Sequence, residues 1–155
     1  MASNCAPSPV EGLAYPTVMQ QTVTRIAWPI HVLLIEDDPE AAELVRIRLS
    51  TDADRTFNVE WRRSLLDGMG RLVDPGIDIV LLDLGMPELR GYQSYQAIAL
   101  VAGTNIPIVI LTADDSRLTR DLIMEFGAAD YLVKSQCTPD QLMQALHKAL
   151  LGRSA

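Results

Sequence analysis

Cysteine is scarce in this chain: Cys5 and Cys137 are the only two, they lie far apart, and neither belongs to a CxxC or Cys/His spacing. A disulfide framework or a zinc site therefore has little support, and a reduced, cytoplasmic setting fits. Long apolar runs are missing as well. No stretch approaches the ~18 residues that a membrane span needs. The N-terminus lacks the basic start and continuous apolar core of a secretory signal, so no membrane association is expected. Positive charge is in deficit, with 13 Lys and Arg against 20 Asp and Glu and a net charge of -7. Such a surface repels phosphate backbones and anionic lipid, which argues against direct nucleic-acid binding. The two histidines, His31 and His147, have no phosphodonor context: one lies in an apolar strand and the other on the outer side of a capped helix.

What is present is an ordinary globular composition, 48% hydrophobic and 21% charged over 155 residues. One domain of this size buries roughly 70% of its extended surface. Residues 1–29 are rich in Ser, Pro, Thr and Gln without a sustained period and read as a flexible extension, although Val18 to Ile26 admits a short helix. Residues 30–152 read as a single domain with no internal repeat or linker, and 153–155 as a tail. Trp28 and Trp61 are expected at the edge of the core.

Within that domain, short apolar runs alternate five times with helix-period segments, the signature of a parallel sheet with crossover helices. Strands are expected near His31 to Glu36, Phe57 to Trp61, Ile77 to Leu82, Ile106 to Leu111 and Ala129 to Val133. The first, third and fourth are almost wholly apolar and suit the sheet interior. In the second, Phe57, Val59 and Trp61 alternate with Asn58, Glu60 and Arg62, as in a half-exposed edge strand. The order 2-1-3-4-5 satisfies both patterns, giving a doubly wound α/β fold with helices on both faces.

The helix after the first strand opens with Pro39 and should turn Ala41, Leu44, Val45 and Leu49 to the sheet. Ser64 with Asp67 can cap the second helix, Gly91 opens the third and Gly127 closes the fourth. The fourth, from about Ser116 to Phe126, has the thinnest apolar face, chiefly Leu118, Leu122 and Phe126. The last carries a Thr138/Gln141 capping box, Pro139 at its first position and a stripe of Leu142, Ala145, Leu146, Ala149 and Leu150.

In an open parallel sheet, groups just beyond the carboxyl ends of the strands converge on the crevice where strand order reverses. Glu36 and Asp37 follow the first strand, Asp83 the third, Thr112 the fourth and Lys134 the fifth. Carboxylates so crowded repel one another, and a hard divalent cation that prefers oxygen relieves the repulsion; magnesium is the natural candidate. With its charge offset, Asp83 can attack a phosphoryl group and become an aspartyl phosphate. Asp38 reads instead as a helix cap.

The motifs Ile35-Glu36-Asp37-Asp38-Pro39, Leu81-Leu82-Asp83-Leu84-Gly85-Met86-Pro87 with Gly91, Leu111-Thr112-Ala113, and Gly127-Ala128-Ala129-Asp130-Tyr131-Leu132-Val133-Lys134 together resemble the receiver domain of bacterial response regulators. Four motifs in the right order make that resemblance specific. It implies a flavodoxin-like fold and phosphorylation of Asp83. It also implies Mg2+ held by Asp37, Asp83, the Gly85 carbonyl and, through water, Glu36. Thr112 and Lys134 would contact the phosphoryl group, and Thr112 with Tyr131 would form the switch. A histidine kinase or histidine phosphotransfer protein would be the donor. A downstream target, or a second copy in a homodimer, would dock on the fourth helix, fifth strand and fifth helix.

By resemblance the chain is expected to be a phosphoacceptor with slow self-dephosphorylation and not a turnover enzyme, and a stand-alone receiver is expected because no output domain fits after Leu151. One departure is Ser135, which stands after Lys134 where the family commonly has a cis proline, so a differently shaped loop is expected there. Two other classes use a similar crevice. A haloacid-dehalogenase-like phosphohydrolase wants an acid two residues after its nucleophile, where Gly85 stands. A flavodoxin-like binding module wants a phosphate loop where Glu36-Asp37-Asp38 stands and would repel the cofactor.

Overall fold

Alternating apolar runs have folded as their periods dictate in the computed structural model, which describes residues 29–50 and 57–154. The strands are β1 (Ile30–Ile35), β2 (Phe57–Arg62), β3 (Ile79–Leu82), β4 (Ile108–Thr112) and β5 (Asp130–Val133). The helices are α1 (Pro39–Ser50), α2 (Leu65–Val73), α3 (Tyr92–Ala102), α4 (Arg117–Glu125) and α5 (Pro139–Leu151). All pairings are parallel and the order is β2-β1-β3-β4-β5. The expected extension, its Val18 to Ile26 stretch, Cys5 and Trp28 lie outside the described residues.

The wholly apolar runs take the interior positions. Every residue of β3 and β4 is buried, while β2 at the edge is only half-buried. Because side chains alternate along a strand, the sheet feeds two cores. Leu33, Ile35, Val80, Leu82 and Ile110 face one core with α2, α3 and α4. Val32, Leu34, Ile79, Leu81 and Val109 face the other with α1 and α5. Burial of each such side chain contributes roughly 1.5–3 kcal/mol.

The caps follow the sequence signals. Ser64 accepts from the Asp67 amide, Thr138 and Gln141 form the reciprocal capping box, Gly91 is the residue before α3, and Gly127 follows the end of α4 at φ +105°. Asp38 Oδ1 accepts the Glu40 amide at 2.9 Å, the cap expected of it.

Two helix faces are phased differently from the expected stripes. On α1 the buried residues are Ala42, Val45 and Leu49, whereas Leu44 is exposed. On α4 only Ile123 is buried; Leu118 and Phe126, expected inside, are 80% and 57% exposed. Three strands also start later than expected, at Ile79, Ile108 and Asp130. His147 is half-buried and stacks on Phe57, with ring centroids 6.1 Å apart. Beyond Lys134 the chain makes a turn closed by the Gln136 amide on the Val133 carbonyl at 3.0 Å.

Candidate functional site

The carboxyl ends of β1, β3, β4 and β5 lie side by side, and each chemistry-bearing residue is anchored there by its own backbone. The Glu36 amide donates to the Arg62 carbonyl at 3.0 Å, the Asp83 amide to the Ile35 carbonyl at 3.1 Å, and the Lys134 amide to the Thr112 carbonyl at 2.8 Å. These bonds continue the sheet pattern one residue past the strands. Side chains that must meet thus hang from a rigid edge rather than from free loops.

Lys134, from the far end of the sheet, brings Nζ to 2.5 Å from Glu36 Oε2 and 3.1 Å from Asp83 Oδ2. Asp83 Oδ1 accepts the Gly85 amide at 3.0 Å, so both carboxylate oxygens are held. Glu36 is 2% exposed and Asp83 7%. Glu36, half-buried Asp37 and Asp83 each offer an oxygen, and these oxygens all lie within 4.8 Å of one another. Three carboxylates without nitrogen or sulfur form a donor set for a hard divalent cation such as Mg2+ and not for a soft transition metal.

Burial pushes the Glu36 carboxyl up to about 7; the hydrogen bond from Lys134 pulls it back and the Asp83 charge adds to the rise. Burial also works against an ionised Asp83, but the Gly85 amide and the Lys134 ammonium outweigh it and hold this carboxyl below the usual range. Lys134 is opposed by burial too, yet Glu36 and Asp83 raise it above an ordinary lysine. The pocket therefore contains an ionised, oriented carboxylate beside a fixed ammonium, an arrangement suited to attack on phosphorus.

Thr112, 1% exposed, ends β4 and accepts the Asp114 amide on Oγ1 at 3.3 Å. The carbonyl of the same Asp114 accepts the Tyr131 hydroxyl at 2.8 Å. Tyr131 is turned inward, 1% exposed, and burial, with the Asp114 charge adding, pushes its phenol up to about 12. One residue, Asp114, therefore joins the two side chains that the resemblance pairs as a switch.

Glu36, Asp37, Asp83, Gly85 and Lys134 meet directly, and Thr112 and Tyr131 are linked through Asp114. Two contributors were not foreseen. The Trp61 indole donates to the Glu36 carbonyl at 2.8 Å, bracing the acidic loop from the edge strand. Arg120 donates to the Tyr131 carbonyl at 2.7 Å, with its guanidinium carbon 5.4 Å from that ring's centre. Nothing in the spacing of α4 pointed Arg120 at β5. An indole N–H that needs an acceptor was the only signal for Trp61.

The family model for the response regulator receiver domain matches residues 32–147. Among curated proteins, the swarming motility regulation protein RssB of Serratia marcescens is 33% identical over 125 residues, which are 79% of this chain and 55% of that protein. The transcriptional regulatory protein CpxR of Escherichia coli K12 is 34% identical over 123 residues, 79% of this chain and 50% of the relative. The chain thus spans about half the length of the curated relatives it matches. Among solved structures, a response regulator receiver domain protein from Clostridium thermocellum superposes with a TM-score of 0.70 at 24% identity, covering 81% of this chain and 97% of that one. A CheY-like receiver protein from Methanospirillum hungatei JF-1 gives 0.69 at 16%, covering 81% and 96%. Both structures show the same fold.

Proposed function

This chain belongs to the response regulator receiver domain family of two-component systems, and from that premise we propose that Asp83 accepts a phosphoryl group from a phosphohistidine. The donor is a histidine kinase or a histidine phosphotransfer protein. A carboxylate oxygen of Asp83 attacks phosphorus, the P–N bond to the imidazole breaks, and the new O–P bond makes an aspartyl phosphate. Water later cleaves that mixed anhydride, returning the carboxylate and releasing phosphate, so the chain is a carrier with slow self-dephosphorylation.

The observation that supports this reading best is the Lys134 ammonium bridging Glu36 and Asp83 across the sheet. It stands where it can neutralise oxygens on the transferring group while Asp83 stays ionised. Thr112 follows from the next strand with a hydroxyl for the same group. Glu36, Asp37, Asp83 and the Gly85 carbonyl are the groups that would hold Mg2+. When bound, the ion supplies positive charge that lets an anionic nucleophile and an anionic phosphoryl group approach.

Phosphorylation adds roughly -1.5 to -2 charge and new acceptor oxygens. If Thr112 turns toward them, it releases the Asp114 amide, and the Asp114 carbonyl is the group that Tyr131 grips. The bias is thereby passed to Tyr131, to Arg120 and to the face of α4, β5 and α5, which binds a downstream target or a second copy. The test is chemical trapping. After incubation with phosphoramidate and Mg2+, borohydride reduction converts an acyl phosphate to an alcohol, and peptide mapping should find homoserine at position 83. Label at any other residue would contradict the assignment.

A further inference from the structure

Asp37 is the one acid of the cluster whose side chain nothing holds. Lys134 grips Glu36 and Asp83, and the Gly85 amide grips Asp83 as well. The half-buried Asp37 carboxylate has no hydrogen-bond or ion-pair partner among the described residues. Its aim is therefore set by its backbone, through the two planar peptide units that flank its Cα. Both units are pinned. The following one is held by its amide, because Asp38 N–H donates to Glu36 Oε1 at 3.1 Å. The preceding one is held by its carbonyl, that of Glu36, which accepts the Trp61 indole Nε1–H at 2.8 Å.

The first of these restraints arises inside the loop, but the second comes from a different strand. β2 lies at the sheet edge and supplies no carboxylate, hydroxyl or ammonium to the crevice. Trp61 pairs with Leu34 and Arg62 with Ile35, and the Arg62 carbonyl takes the Glu36 amide at 3.0 Å. The Glu36 backbone is thus held at both its donor and its acceptor by consecutive residues of β2. The Trp61 ring is itself steadied: it packs against the core beneath α1 and α5, and the Arg63 guanidinium carbon stands 5.7 Å from its centre, within cation–π range.

We propose that Trp61 is a positioning residue for the divalent cation. Its indole fixes the Glu36–Asp37 peptide plane and so keeps the otherwise untethered Asp37 carboxylate within 4.8 Å of the Glu36 and Asp83 oxygens. Preorganisation matters most for the group with no restraint of its own, since any motion that the ion must freeze on arrival subtracts from its affinity. Only the identity of the ion rests on the phosphoacceptor reading; the positioning rests on the geometry of β1 and β2.

A Mg2+ titration of the full chain, followed by proton–nitrogen correlation NMR, tests it. Trp28 is the only other tryptophan, so Trp28→Phe leaves Trp61 as the sole indole and assigns its peak. Without Mg2+, that indole N–H should exchange with solvent about tenfold or more slower than a free indole, as a hydrogen-bonded donor does. Its peak should move as the ion is added. Trp61→Phe keeps an aromatic ring in place and removes the donor. It should raise the Mg2+ dissociation constant, read from the Asp38 and Gly85 amides, roughly tenfold, the low end of the cost of losing an outer-shell partner. Val59→Ala trims the same face of β2 and should lower stability while leaving that constant unchanged. Equal weakening in Val59→Ala and Trp61→Phe would reduce the effect to strand stability and overturn the proposal. So would unchanged affinity in Trp61→Phe, or an indole N–H that exchanges like a free one, the readout that decides the matter should Trp61→Phe not fold. These results leave the phosphoacceptor reading standing, whereas wild-type amides that ignore Mg2+ would overturn both.

Discussion

At Gly85 an added Cβ would stand 3.5 Å from both carboxylate oxygens of Asp83, in ordinary contact and without a clash. Any side chain at this position therefore overhangs the Asp83 carboxylate. Gly85→Asn is expected to fold, and its carboxamide would hold the hydrolytic water against the aspartyl phosphate. One such hydrogen bond, worth about 1 kcal/mol, shortens the phosphoryl lifetime roughly fivefold. Following the decay of the phosphorylated mass after desalting measures it, and an unchanged rate would count against the overhang. At this scale the sequence was most legible. Glu36, Asp37, Asp83, Thr112 and Lys134 each sit at a strand end, where position along an apolar run is enough to place them. Trp61 and Arg120 were not legible, because their contacts depend on where one element lies across another, which no local period encodes.

Among the elements, α2 approaches β1 so closely that a Cβ on Gly68 would meet the Ile35 side chain, with Cγ1 only 2.9 Å away. Ile35 is fully buried and has little room to give. Gly68→Ala should therefore cost about 1–3 kcal/mol through overpacking, despite the gain of roughly 0.5–1 kcal/mol in helix preference. Gly70 lies on the same helix with nothing within 4 Å, so Gly70→Ala should stabilise by about 0.5–1 kcal/mol. Urea unfolding of the two variants should move in opposite directions. The edge strand is tied to the same helix by Arg71, which donates Nε to Glu60 Oε2 at 2.7 Å and an Nη to Oε1 at 3.0 Å. That hydrogen-bonded pairing with Arg71, against a smaller opposing effect of burial, holds the Glu60 carboxyl below its usual range. A carboxyl lowered on folding contributes stability above its unfolded value, and the contribution is lost as pH falls through the folded one. Glu60→Gln should accordingly be less stable than wild type at neutral pH, with the gap closing in urea titrations carried below pH 4.5. Helix phase was the least legible feature at this scale. On α4, Leu118, Leu122 and Phe126 share a stripe, yet the residue the helix buries is Ile123. On α1 the small Ala42 is buried in place of the larger Leu44, as a close helix–sheet approach requires.

For the molecule as a whole, the strand order satisfies two patterns, continuous apolar runs in central places and the alternating Phe57–Arg62 segment at an edge, and the family resemblance supplied the rest of the topology. Among the described residues no helix is long and apolar enough to cross a membrane. The domain is a two-core sheet whose carboxyl edge gathers acids and an ammonium, and the proposed function makes its signalling state depend on whether Asp83 carries a phosphoryl group. Net charge acts at this scale too, since a molecule at -7 must bind its partners through local patches and not through its overall field. The most direct measurement is intact mass after incubation with acetyl phosphate, comparing wild type with Asp83→Asn, each with Mg2+ and with a chelator. Wild type with Mg2+ should gain one phosphoryl unit, and the other three samples none. A gain in Asp83→Asn, or one in wild type that ignores the chelator, would contradict the account.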